Sequence, residues 1–154
     1  MLRQPPSPRS LSVMEKILNS EQKTIEFGEE LSQQLHGGDI LFLSGDLGAG
    51  KTTLTKGIAK GLGIKDNITS PTFTLMNIYK TNNNIIKKMV HIDTYRLEDE
   101  NKLYEIGAED YVGAPDSVCL IEWPEKIEQL TKGKKIITIK IEHVNNAIKI
   151  TVEN

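Results

Sequence analysis

Nine consecutive residues, Gly45-Asp46-Leu47-Gly48-Ala49-Gly50-Lys51-Thr52-Thr53, have the make-up of an anion cradle. They read G-x-x-x-x-G-K-T, the phosphate-binding P-loop pattern. Glycine has no Cβ, so a chain carrying Gly45, Gly48 and Gly50 can turn tightly and bring its amides close to a bound group. Successive N–H groups in such a turn form a concave nest for phosphate oxygens. A helix starting near Lys51 adds the positive end of its dipole. Lys51 then reaches the outer phosphates as a point charge. The Thr52 hydroxyl is of the type that ligates Mg²⁺, and Thr53 stands where it meets the α-phosphate.

Phosphoryl chemistry also needs a carboxylate that holds or relays to the cation, at the tip of a neighbouring strand. Asp93 closes the apolar run Met89-Val90-His91-Ile92, and Glu122 closes Val118-Cys119-Leu120-Ile121. Both stand where ligands bind in open α/β sheets, at carboxyl ends of strands, and pattern alone does not rank them. Around them, several residues admit two readings. His91 shares a strand face with Asp93 and either orients that carboxylate or is a core histidine. Trp123, the only tryptophan, either packs or lines the phosphate site beside Glu122. Thr72 is either a turn residue or a switch that answers the γ-phosphate. Arg96 reads as a surface ion-pair partner.

The elements that must position these residues follow from local pattern. Ile40-Leu41-Phe42-Leu43 before the glycines is an unbroken apolar run, the mark of a strand buried on both faces. Leu54, Ile58 and Leu62 after them recur at helical spacing, and Gly63 ends that helix. Upstream, residues 15–18 read as a first strand and Ser20 as a helix N-cap. Thr24, Phe27, Leu31 and Leu35 mark one face of that helix, with Gly37-Gly38 as its stop. Residues 73–79 and 85–93 read as a hairpin around Asn82-Asn83-Asn84. A short helix is expected around Leu103 and Ile106, and Pro124 opens a helix running to about Leu130. Residues 136–141 and 148–152 read as two strands joined through Asn145-Asn146. The expected fold is α/β, a P-loop three-layer sandwich with a mainly parallel central sheet and added antiparallel strands.

The chain has 154 residues, enough for one domain with a substantial core. No apolar run approaches the roughly 20 residues of a membrane helix, so no membrane association is expected. A formal charge of -2 gives no bulk attraction to nucleic acid. The single cysteine, Cys119, lies in an apolar run and excludes a disulfide framework, which fits a reducing, cytoplasmic compartment. Residues 1–13 hold prolines, serines, Arg3 and Arg9 with no acid, the composition of a disordered leader. A cloning remnant is the preferred reading, with Met14 as the native start. The expected organisation is a leader over 1–13 and a single P-loop domain over 14–154.

Four pieces in this order, GDLGAGKTTL at 45–54, SPTF at 70–73, HIDTYRL at 91–97 and IEWPEK at 121–126, resemble the TsaE ATPases of tRNA threonylcarbamoyladenosine biosynthesis. Thr24 fits the same pattern. The resemblance implies ATP and Mg²⁺ as cofactors, slow hydrolysis by the protein alone, and work alongside the TsaB–TsaD transfer pair, with tRNA met indirectly. It implies phosphate contact by Lys51, Mg²⁺ held by Thr52 and Glu122, and Asp93 as a second essential acid. Thr72 corresponds to the switch-like loop. Nucleotide contacts are implied for Thr24, Asp46, Leu47, Gly48, Ala49, Gly50, Lys51, Thr52, Thr53 and Trp123. The runner-up is a small-molecule P-loop kinase, but such enzymes cover the phosphate with an arginine-bearing lid. The whole chain holds only Arg3, Arg9 and Arg96. A guanine-nucleotide switch fits less well, because Asn101-Lys102-Leu103-Tyr104 lacks the acid of Asn-Lys-x-Asp. Lys87-Lys88 and Lys132 with Lys134-Lys135 read as a solvated face rather than a tRNA surface.

Overall fold

A computed structural model describes residues 13–46, 50–71 and 74–154. Residues 1–12, Leu47, Gly48 and Ala49, and Thr72 with Phe73 lie outside the described residues, and with them nearly all of the expected leader over 1–13. The strands are β1 (Met14–Leu18), β2 (Ile40–Ser44), β3 (Met76–Lys80), β4 (Lys88–Asp93), β5 (Ser117–Glu122), β6 (Ile136–Val144) and β7 (Ala147–Glu153). The helices are α1 (Glu21–Ser32), α2 (Lys51–Gly61), α3 (Asn101–Glu105) and α4 (Glu128–Thr131), with 3₁₀ turns at Ala108–Asp110 and Pro124–Lys126.

All strands join one seven-stranded mixed sheet in the order β1-β7-β6-β2-β5-β4-β3. The four central strands β6, β2, β5 and β4 run parallel. β3 pairs antiparallel with β4 at one edge, and β7 and β1 extend the other edge antiparallel. The parallel part is thus confined to the centre. Because the central strands share a direction, β2, β4 and β5 deliver their carboxyl ends to one edge of the sheet, where open α/β sheets take ligands.

Alternation along the central strands divides the apolar residues between two cores. Leu41 and Leu43 of β2 with Val118 and Leu120 of β5 meet Phe27, Leu31, Leu54 and Ile58 from α1 and α2. Ile40, Cys119 and Ile121 meet Leu103, Ala108, Ile127 and Leu130 on the other face. β5 is buried along its whole length, as its unbroken apolar run requires. The Cys119 thiol is pushed up in pKa by that burial, which keeps it a protonated core group.

Several boundaries differ from the sequence expectation. The Ser20 hydroxyl does cap α1, accepting from the Lys23 amide. But α1 stops at Ser32, before Gly37-Gly38, and Leu35 is buried from the following turn. The helix expected from Pro124 to Leu130 is two pieces, a 3₁₀ turn and α4. Ile127 between them has φ -133, outside the helical range. The final hairpin is longer than expected, because pairing runs from Thr138 with Glu153 to Val144 with Ala147. The turn between is closed by Asn145 at φ 56, a left-handed geometry asparagine tolerates.

α1 and α2 pack backbone to backbone. A Cβ at Gly57 would lie 2.3 Å from the Ile25 carbonyl oxygen, and one at Gly28 would lie 2.8 Å from the Gly57 Cα. Neither neighbour is a flexible side chain that could swing away. In Gly57→Ala, helix propensity alone would add about 1 kcal/mol of stability. Overpacking costs about 1–3 kcal/mol, and backbone contacts put this site at the upper end. Urea titration should therefore find Gly57→Ala less stable than the parent; equal or greater stability would show that the helices part at no cost.

Candidate functional site

Every central element of the site is set by the sheet edge. β2 ends at Ser44, and Gly50, the residue that precedes α2, has a left-handed φ of 105. That conformation favours glycine, and it aims the first turn of α2 back across the ends of β2 and β5. Lys51, the first residue of α2, is only 6% exposed. Its ammonium donates to the Gly45 carbonyl at 2.9 Å, lies 3.6 Å from Glu122 Oε1 and sits 4.6 Å from the Trp123 ring centre. A buried ammonium is tolerated only with such partners.

The register of β4 on β5 sets Asp93 directly beside Glu122, and paired residues of a parallel ladder face the same side. His91 is on that face too. It does not orient Asp93, as one sequence reading had it. Its Nε2 lies 2.7 Å from Glu122 Oε2. A carboxylate only accepts, so Nε2 is assigned the proton and donates. Asp93 Oδ1 instead accepts from the Tyr95 amide at 3.0 Å, in a turn closed by its own chain.

The two acids are driven apart. Burial works against charge on Glu122, but the His91 hydrogen bond and the charges of His91 and Lys51 outweigh it and hold the carboxyl below the usual range. Burial raises the Asp93 carboxyl, reinforced by the Glu122 charge, while the Tyr95 amide, His91 and Lys51 oppose. Two carboxyls whose surroundings separate them in this way are suited to different tasks. Glu122 is the standing anion, and Asp93 is the group readier to take a proton.

A cavity of about 410 Å³ opens over this cluster, lined by Gly50, Lys51, Thr52, Thr53, Asp93, Glu122 and Trp123 among others. The Thr52 hydroxyl is 3.3 Å from that of Ser70. Arg96, exposed as expected, also lines the cavity. Thr24 lies elsewhere, lining a second cavity with Gly50 and Thr53, and its hydroxyl donates to the Ser20 carbonyl at 3.2 Å. Asp46 lines a third with Trp123. The shared linings make the three hollows neighbours around one loop.

Besides Asn145, two non-glycine residues among those described carry left-handed backbone geometry that side chains rarely adopt. Trp123 has φ 60 and Leu75 has φ 64, each a strain of about 1–3 kcal/mol. Trp123 follows Glu122, and the Leu75 carbonyl accepts from the Asp93 amide at 3.0 Å. Both strained residues therefore flank the acids. The Thr94 hydroxyl clamps the first, lying 3.0 Å from the Glu122 carbonyl and 2.5 Å from that of Trp123. The Tyr95 ring packs on Trp123 in a tilted arrangement, with ring centres 5.1 Å apart and planes at 44°. Thr94, Tyr95 and Ser70 stand inside the pieces quoted above without a role of their own, because the contacts of the Thr94 and Ser70 hydroxyls and of the Tyr95 ring are with residues distant in the chain and leave no local pattern.

The donor set fits a hard divalent cation. Mg²⁺ is held through one or two carboxylates plus phosphate and water oxygens rather than an all-protein cage. Among the described residues no group of three or more His, Cys, Asp or Glu could hold a metal, whereas the Thr52 hydroxyl and the Glu122 carboxylate line one cavity.

Comparison with known proteins points one way. The family model described as "Threonylcarbamoyl adenosine biosynthesis protein TsaE" matches residues 18–150. A protein of Haemophilus influenzae named tRNA threonylcarbamoyladenosine biosynthesis protein TsaE is 40% identical over 136 residues, covering 84% of this chain and 82% of its own. A Bacillus subtilis protein of the same name is 47% identical over 104 residues, 67% of this chain and 62% of its own. The crystal structure of Bacillus subtilis YdiB superposes with a TM-score of 0.70 at 30% identity, covering 92% of this chain and 84% of that one.

The charge on Glu122 has a consequence for acid stability. A carboxyl depressed in the folded state stabilises above its unfolded pKa, and that contribution is lost as pH falls through the folded value. Urea titrations of Glu122→Gln and the parent across the range below pH 5 should show a flatter acid limb for the variant. Parallel acid limbs would mean that Glu122 is not held ionised by His91 and Lys51.

Proposed function

The chain belongs to the TsaE family, and we propose that it is a Mg²⁺-dependent ATPase, slow on its own, that serves threonylcarbamoyladenosine modification of tRNA alongside TsaB and TsaD. The observation that carries this reading is the meeting of Lys51, Glu122 and Asp93 in one cavity at the start of α2. The fold in question is then the P-loop sandwich, and a cytoplasmic setting follows from a tRNA substrate pathway. No described helix is long and apolar enough to cross a membrane.

In this reading Lys51 leaves its Gly45 and Glu122 partners for phosphate oxygens, exchanging a neutral carbonyl at 2.9 Å and a carboxylate at 3.6 Å for charge-assisted hydrogen bonds. Thr52 and Glu122 hold Mg²⁺, which when bound neutralises charge gathering on the β- and γ-phosphates. Asp93 has one oxygen on the Tyr95 amide, and the other is left to orient water and receive its proton. Thr53 and Gly50 join this cavity to the one containing Thr24, which gives a nucleoside a place continuous with the phosphates. Asp46, Trp123 and the loop residues Leu47, Gly48 and Ala49 complete the nucleotide contacts, and Thr72 responds to the γ-phosphate.

Arg96 at the cavity brings one guanidinium near the reaction, yet one residue is not the arginine-bearing lid of a small-molecule kinase. Slow intrinsic turnover with activation by partners is therefore preferred. A kinase would leave a phosphorylated acceptor, and the ATPase leaves only ADP and phosphate.

Lys51→Ala should weaken ATP binding at least tenfold in a fluorescence titration, the order expected from losing a charge-assisted hydrogen bond worth about 1.5–3 kcal/mol; unchanged affinity would remove the loop from the site. Glu122→Ala should keep measurable nucleotide affinity but lose Mg²⁺-dependent phosphate release. The isolated protein should turn over well below the ~1–100 s⁻¹ of kinases, and capture of TsaB and TsaD should depend on added ATP analogue. Fast turnover alone, or capture indifferent to nucleotide, would reject partner gating.

A further inference from the structure

Among the described residues one buried side-chain polar atom has no hydrogen-bond partner, and it is His91 Nδ1. The imidazole is fully buried in the middle of the sheet, on β4. Leaving a polar atom unpaired there costs about 1–3 kcal/mol. A histidine kept only for packing gains nothing from that arrangement, since an apolar residue of similar volume would fill the space without the cost. What the ring does gain is its other nitrogen, which stands 2.7 Å from Glu122 Oε2.

That bond selects between the two oxygens of Glu122. Oε2 is taken by His91, and Oε1 faces Lys51 at 3.6 Å. Rotation about the terminal carboxylate torsion is soft, with a broad two-fold profile, so the Glu122 backbone alone does not fix which way its oxygens point. The strained Trp123 peptide and the Thr94 clamp fix the main chain at this position, and His91 adds the missing control over the side chain. Groups of this kind, one step behind a ligand, set ligand orientation and tune affinity.

We propose that His91 is a positioning residue, which by occupying Oε2 of Glu122 presents Oε1 to the cation carried in by the nucleotide. This rests on the ATPase reading above. The side chain that His91 contacts is Glu122, so its effect falls on the cation-dependent part of nucleotide binding. The phosphate contacts of Lys51 and the loop do not pass through His91.

The test uses Trp123, the only tryptophan of the chain, as the fluorescence reporter in ATP titrations of the full chain, in EDTA and in excess Mg²⁺. Four proteins are compared, the parent, His91→Leu, His91→Gln and Glu122→Gln, together with the double variant of His91→Leu and Glu122→Gln. In EDTA His91→Leu should bind ATP as the parent does. Its affinity gain on adding Mg²⁺ should shrink by about tenfold, the lower end of the range for residues behind a metal ligand. His91→Gln carries an amide N–H near the position of Nε2 and should recover most of that gain. In the Glu122→Gln background His91→Leu should change nothing further. If His91→Leu melts too low for assay, His91→Asn, whose amide is too short to reach Oε2, takes its place. A full Mg²⁺ gain in the variant, an equal loss in EDTA, or a further loss in the Glu122→Gln background would overturn the positioning role. A parent protein that binds no ATP would instead overturn the ATPase reading and the inference with it.

Discussion

Two carboxyls forced side by side by a parallel ladder are the constraint around which this molecule is arranged. The register of β4 on β5 leaves Asp93 and Glu122 no choice of neighbour. Like charges at that spacing in a half-dry cleft are costly, and the cost is relieved by unequal treatment of the pair. Glu122 receives an ammonium from α2 and an imidazole from β4, and Asp93 receives an amide and a raised proton affinity. The ammonium in turn can come only from the first turn of α2, so the left-handed Gly50 and the crossover from β2 are tied to the same pair.

Much of this was legible in the residues. The apolar run before the glycines, the helical spacing of Leu54, Ile58 and Leu62, and the acids at the ends of two apolar runs each rest on neighbours in the chain, and the structure has them all. The partner of His91 was not legible. Shared strand face pointed to Asp93, but the ring reaches across to β5, and cross-strand geometry is absent from the pattern of a single strand. Thr94 escaped for the same reason, since both its acceptors belong to residues 122 and 123. Boundaries erred where local signals were strong but tertiary packing overrode them. Gly37-Gly38 looked like a helix stop, yet α1 had already ended. Pro124 looked like the start of one helix, yet Ile127 leaves the helical range to bury its side chain in the second core. Residues 47–49 and Thr72 lie outside the described structure.

Backbone strain is concentrated at the same place. Of the non-glycine residues with left-handed φ, Trp123 and Leu75 adjoin the two acids, and Asn145 closes an ordinary hairpin turn. The strain at Trp123 turns its ring under the Lys51 ammonium and against Tyr95. A relaxed extended residue at that position would point to the opposite face of β5. The cost of the conformation is offset by the clamp from Thr94, a contact that neither acid could make for itself.

The close seam between α1 and α2 has a mechanical meaning. With main chain resting on main chain at Gly28 and Gly57, the two helices can come no closer at that point. Thr24 on one helix and Lys51 on the other are then fixed parts of one rigid jig. The spacing between the second hollow and the first is thereby set by main chain rather than by side chains that could repack.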